Sequence, residues 1–65
     1  MEIFINGELE EIEQSTISQL VEKKQLQVGS LVVELNRKII KQTQWEEVHL
    51  QDGDKLELLS FVGGG

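Results

Sequence analysis

Met1, Ile3 and Ile5 alternate with Glu2 and Phe4, a period of two that predicts a strand with one apolar face. Asn6-Gly7 follows directly, and because both central residues of a type I′ turn take positive φ, the pair predicts a tight hairpin. The return strand runs from Glu8 to about Glu13. Leu9 and Ile12 fall out of phase on it, so a bulge or an early end is expected. Glu8, Glu10, Glu11 and Glu13 mark it as an edge strand whose charges oppose further pairing.

The period then changes. Thr16-Ile17-Ser18-Gln19 has the form of a capping box, with the Thr16 hydroxyl facing the Gln19 amide and the Gln19 side chain able to reach back. Ile17, Leu20 and Val21 occupy one helical face, while Glu22, Lys23 and Lys24 turn to solvent. Gln25, Gln27 and Gly29 mark the exit, and Leu26 and Val28 are expected to pack back under the sheet. Leu31-Val32-Val33-Glu34-Leu35 is the best candidate for a central strand. A turn at Asn36-Arg37 leads to a short strand, Lys38-Ile39-Ile40. Thr43 to Glu47 predicts one helical turn capped by Thr43, with Trp45 covering an edge of the core. After a turn at Asp52-Gly53-Asp54 the last strand runs from Lys55 through Phe61, with Leu56 and Leu58 on one face and Leu59 and Phe61 on the other. One helix covers one side of a sheet, so the second side is left as a docking patch.

This order predicts an α+β roll, a mixed sheet of four to five strands crossed by one main helix. A right-handed crossover between the first hairpin and the third strand puts the first and last strands side by side and parallel. Residues 1–60 form the folded domain and 61–65 a flexible glycine-rich tail.

Composition narrows the functions open to such a fold. At 65 residues the chain is near the size at which one hydrophobic core becomes marginal, and without cysteine and with a single histidine it has neither disulfide nor thiolate or multi-histidine metal site to staple it. Twelve acidic against six basic side chains give a net charge of −6. That sign opposes nucleic acid and suits a basic face on a protein partner. Arg37, Lys38 and Lys41 read as the solvated side of a strand. No apolar run reaches the length of a signal-peptide core or a membrane span, so a soluble, cytoplasmic protein is expected. Asp52 and Asp54 lack the further ligands of a calcium loop. Ser15, Ser18, Ser30 and Ser60 have only His49 as a candidate base and nothing brings them to it, so the chain is expected to be no enzyme.

Chemistry concentrates at Gly63-Gly64-Gly65. Three glycines do not pack a core or hold a strand, but they fit a narrow groove and reach about 10 Å from their anchor, at roughly 3.3–3.6 Å per extended residue. Glycine-rich ends also arise as linkers. Here they follow an apolar run without a polar spacer, and the chain stops on them, which suits a carboxylate that is itself the reacting group.

Ile3-Phe4-Ile5-Asn6-Gly7, Asn36 with Ile39-Ile40 and Trp45 after it, Asp52-Gly53-Asp54, the apolar last strand and Gly64-Gly65 together resemble the thiamin-biosynthesis sulfur carrier proteins, β-grasp relatives of ubiquitin. The resemblance covers the whole chain, with a compressed segment between Glu8 and Thr16 as the departure. It implies that a ubiquitin-activating-enzyme-like adenylyltransferase joins the Gly65 carboxylate to AMP from Mg-ATP. A desulfurase-type donor then supplies sulfur, leaving a thiocarboxylate on Gly65 (1-thioglycine) that thiazole synthase consumes. No permanently bound cofactor is implied. Gly64 and Gly63 serve as the threading residues, and Phe61, Val62 and Leu59 are the candidate docking surface. Two rivals share the design: a molybdopterin-synthase small-subunit-type carrier, which tends to be longer and to begin differently, and a modifier conjugated to lysines through Gly65.

Overall fold

The structure, a computed structural model, describes residues 1–61. Alternation makes the first strand: Ile3 and Ile5 of β1 (Glu2–Ile5) are buried and Glu2 and Phe4 exposed. Asn6 and Gly7 both take positive φ, 51° and 84°, and turn the chain into β2 (Glu8–Glu11). The strand ends early, as its broken phase predicts. Leu9 stays on the outer face opposite Phe4, whereas Ile12, past the strand end, swings into the core and exchanges backbone hydrogen bonds with Met1.

Helix α1 (Ile17–Lys23) is only seven residues long, too short to stand alone in water. Tertiary hydrogen bonds compensate. The Ile17 and Ser18 amides donate to the Val48 and Trp45 carbonyls at 3.3 and 3.1 Å. The Gln19 amide donates to Thr16 Oγ1 at 3.2 Å, and Gln19 Oε1 accepts from Ser15 and Thr16. Every amide that a helix start leaves free is thereby matched. At the other end Gln25, the first of the three expected exit residues, makes the stop: it sits at φ 58°, while its amide and that of Leu26 donate to Glu22 and Val21. This is the two-bond helix stop usually built on glycine.

After a 3₁₀ turn (Val28–Ser30), β3 (Leu31–Leu35) and β4 (Lys38–Ile40) form a second hairpin, with Asn36 and Arg37 at φ 50° and 73°. Strand β5 (Lys55–Ser60) closes the sheet, whose order is β2-β1-β5-β3-β4. The first and last strands are parallel neighbours, as expected: Phe4 pairs with Lys55 and Ile5 with Leu56. Strand β3 is interior, between β5 and β4, while the middle of the five is β5, between β1 and β3.

Ile3, Ile17, Leu20, Val33 and Leu56 form the innermost layer between helix and sheet. Three expectations are corrected. Val28 is exposed, and only Leu26 packs against the core. Lys24 is half-buried through its 3.0 Å ion pair with Glu10 instead of pointing freely to water. The turn after β4 is a 3₁₀ helix over Gln42–Gln44, preceded by Lys41 without a side-chain cap, because Trp45 is drawn inward. That indole is buried within the core, not spread over its edge, and its Nε1–H donates to the Ile40 carbonyl at 3.0 Å. Among the described residues no helix is long and apolar enough to cross a membrane.

Candidate functional site

Strand β5 leads to the glycine tail, and both hairpin turns grip it. Asn36, at the β3–β4 turn, accepts from the Lys55 amide through Oδ1 at 3.0 Å, donates through Nδ2 to Asp54, and gives its own amide to the Lys55 carbonyl. Asn6, at the β1–β2 turn, accepts from the Leu58 amide at 2.8 Å and donates to the Leu58 carbonyl at 3.3 Å. Two asparagines that the turns require for positive φ also act as side-chain peptide groups along the tail-bearing strand. Sequence reasoning gave them the turns and missed the clamps; the signal was the same residue type at both turns beside a strand that needs neighbours on both edges.

Leu56 and Leu58 face the helix, while Leu59 and Phe61 face the open side of the sheet, as expected. Leu59 is 41% exposed and lies opposite Val32; Phe61 is 62% exposed, with its amide bonded to the Ser30 carbonyl at 2.8 Å. Ile39, 69% exposed and opposite Glu34, stands diagonally across from Val32 and extends this apolar strip. Val32 and Ile39 joined the strip through strand pairing, which their neighbours in sequence do not reveal. Val62, Gly63, Gly64 and Gly65 lie outside the described residues.

Electrostatics leaves this face uncommitted. Lys24–Glu10 is the one ion pair among the described residues, and Arg37, Lys38 and Lys41 are exposed. Asp52 and Asp54 are spent on backbone, accepting from the Glu2 and Gln51 amides, and no group of metal-binding side chains forms among the described residues. His49 is exposed, bridged to Thr16, with Nδ1 3.2 Å from the Glu47 carbonyl, and no serine is hydrogen-bonded to its ring among the described residues. A groove of about 610 Å³ lies between α1 and the turn before Trp45, and no residue of β5 lines it.

A family model described as the ThiS family matches residues 3–65. The chain belongs to that family. It is 42% identical over 50 residues to the sulfur carrier protein ThiS of Bacillus subtilis, covering 77% of this chain and 76% of that protein. It is also 35% identical over 66 residues to a thiazole synthase of Paramagnetospirillum magneticum, where all of this chain corresponds to 20% of that protein's length. The crystal structure of the thiamine biosynthesis protein ThiS from Geobacter metallireducens superposes with a TM-score of 0.86 at 26% identity over 100% of both chains. Its solution structure gives 0.80 at 25% identity, covering 88% of that chain. This ThiS-family chain thus has the β-grasp, ubiquitin-like fold and is a small sulfur carrier of thiamin biosynthesis, not a catalyst.

Proposed function

We propose that sulfur is carried as a thiocarboxylate on Gly65. A carboxylate is ionised at neutral pH and its delocalised charge makes it a poor electrophile, so it must first acquire a leaving group. A ubiquitin-activating-enzyme-like adenylyltransferase supplies one: a Gly65 carboxylate oxygen attacks the α-phosphorus of Mg-ATP and pyrophosphate departs. The terminal sulfur of a persulfide on a desulfurase-type donor then attacks the acyl carbon and AMP leaves; a second thiol breaks the S–S bond of the resulting acyl disulfide, so that a disulfide forms on the donor side and the thiocarboxylate is released on Gly65. The chain has no cysteine, so the sulfur has no side-chain thiol to rest on. Thiazole synthase takes it from Gly65. Gly64 and Gly63 thread the two active sites, which have no room for a Cβ, and the reaction runs in the cytoplasm.

The observation that carries this reading is that the family match runs through Gly65, so the glycine end belongs to what the family shares. A second supports the choice of acceptor: a stretch like this chain occurs within a thiazole synthase polypeptide, and a carrier needs proximity to the enzyme it serves. Docking uses the open sheet face through Leu59, Phe61 and Val62, joined by Val32 and Ile39. The acidic surface steers the chain toward basic partner faces.

Intact-mass analysis of the protein recovered from cells tests the reading. One oxygen replaced by sulfur is the expected change, abolished by deleting Gly64 and Gly65. A chain extended by one residue beyond Gly65 is expected to fold and to resist adenylation; ATP-dependent AMP transfer to it at the normal rate overturns the proposal.

A further inference from the structure

Just before the tail, β5 loses its neighbour on one side. Hydrogen bonds along the strand alternate in direction. The Asp54 and Leu56 carbonyls accept from Phe4 and Asn6 on the β1 side, at 2.8 and 2.9 Å, whereas the Lys55 carbonyl and the Phe61 amide serve Asn36 and Ser30 on the β3 side. Even-numbered positions therefore face β1. Strand β1, however, ends at Ile5, level with Leu56. The Asn6 side chain fills the next place, matching both backbone groups of Leu58. One step further, the N–H and C=O of Ser60 face the same lane, and among the described residues nothing pairs with them. The hairpin tip at Asn6-Gly7 has turned away.

We propose that this lane receives an extended segment of the activating partner, which pairs with Ser60 as a short added strand at the root of the tail. The inference rests on the function proposed above and names how the partner holds the tail. An extended backbone offers a donor and an acceptor at the spacing that Ser60 presents, and running on from there it also carries side chains past the groove beside the lane. The lane is walled on the helix side by a groove of about 340 Å³, lined by Leu26, Leu31 and Leu58, with Glu8 and Glu10 at its mouth. Glu10 is taken by Lys24, while Glu8 has no ion-pair partner among the described residues. The segment therefore carries an aliphatic side chain for the groove and a lysine or arginine, two residues away on the same face, for Glu8. Held there, the strand continues in line and the tail leaves in one direction instead of many.

Two measurements with the adenylyltransferase decide it. Amide exchange of the labelled full-length chain, without ATP, is expected to be fast at Ser60 in the free protein and slowed at least about tenfold with saturating enzyme, the size one or two net hydrogen bonds give. Slow exchange already in the free chain, or no protection with enzyme, overturns the proposal. The second is Ser60→Pro. Proline removes an N–H that the β3 ladder does not use, so the fold is expected to survive, while KM for the carrier in adenylation rises about tenfold. An unchanged KM for Ser60→Pro, with the wild-type chain adenylated, overturns the lane and leaves the role of Gly65 standing. Protection at Ser60 without any adenylation of wild type does the reverse.

Discussion

Asn6 carries two jobs on one side chain, a turn at positive φ and a pair of hydrogen bonds to Leu58. Asn6→Ala loses both, and the two bonds lie at the surface, so the expected cost is about 1–2 kcal/mol in denaturant unfolding. Asn6→Gly relieves the backbone and loses only the bonds, so it is expected to fall between wild type and the alanine variant. A glycine variant no better than alanine would mean that φ contributes nothing. The sequence made the turns legible because positive φ is a local demand that Asn and Gly meet. It did not make the clamps legible, because they depend on where residues 52 positions away come to lie. Trp45 carries the same limit. Its aromatic bulk near a turn suggested a cover, and only the Ile40 carbonyl beneath it reveals why the indole turns inward.

Element by element, the helix is the clearest case of local and distant causes combined. Its start was written in four consecutive residues, and both halves of the capping box form. Thr16→Ala is expected to cost about 1 kcal/mol in thermal or urea unfolding. The end was read as a stretch, Gln25, Gln27 and Gly29, and the structure narrows it to Gln25, which occupies the left-handed position. Replacing Gln25 with Gly removes a Cβ from that conformation, and a gain of up to about 1 kcal/mol is expected; a loss of stability would show that the Gln25 side chain holds something its strain hides. Among the strands, apolar content alone marked β3 as central, and it is interior. Strand β5 took the middle place because parallel pairing with β1 depends on the crossover, which no single segment encodes.

For the whole molecule, the docking proposed above divides its labour between charge and the apolar strip. With a net charge of −6, association with a basic partner is expected to slow about tenfold between about 0.1 and 1 M salt, as the screening length shrinks from about 10 to about 3 Å, with much less change in dissociation. Phe61→Ala and Leu59→Ala are expected to do the opposite, raising dissociation with little effect on association or unfolding, because both side chains already face water. Stopped-flow binding separates the two. The sheet face that carries this strip was foreseeable from alternation along β5, but its width was not, since Val32 and Ile39 arrive from β3 and β4. The central setting of β5 has a mechanical consequence as well. A partner that tugs the tail while bracing the domain loads the ladders to β1 and β3 along the strand axis, in shear, where many bonds must break together instead of unzipping one by one. The domain can then serve as a rigid handle, tugged repeatedly in each round of sulfur loading and delivery without coming apart.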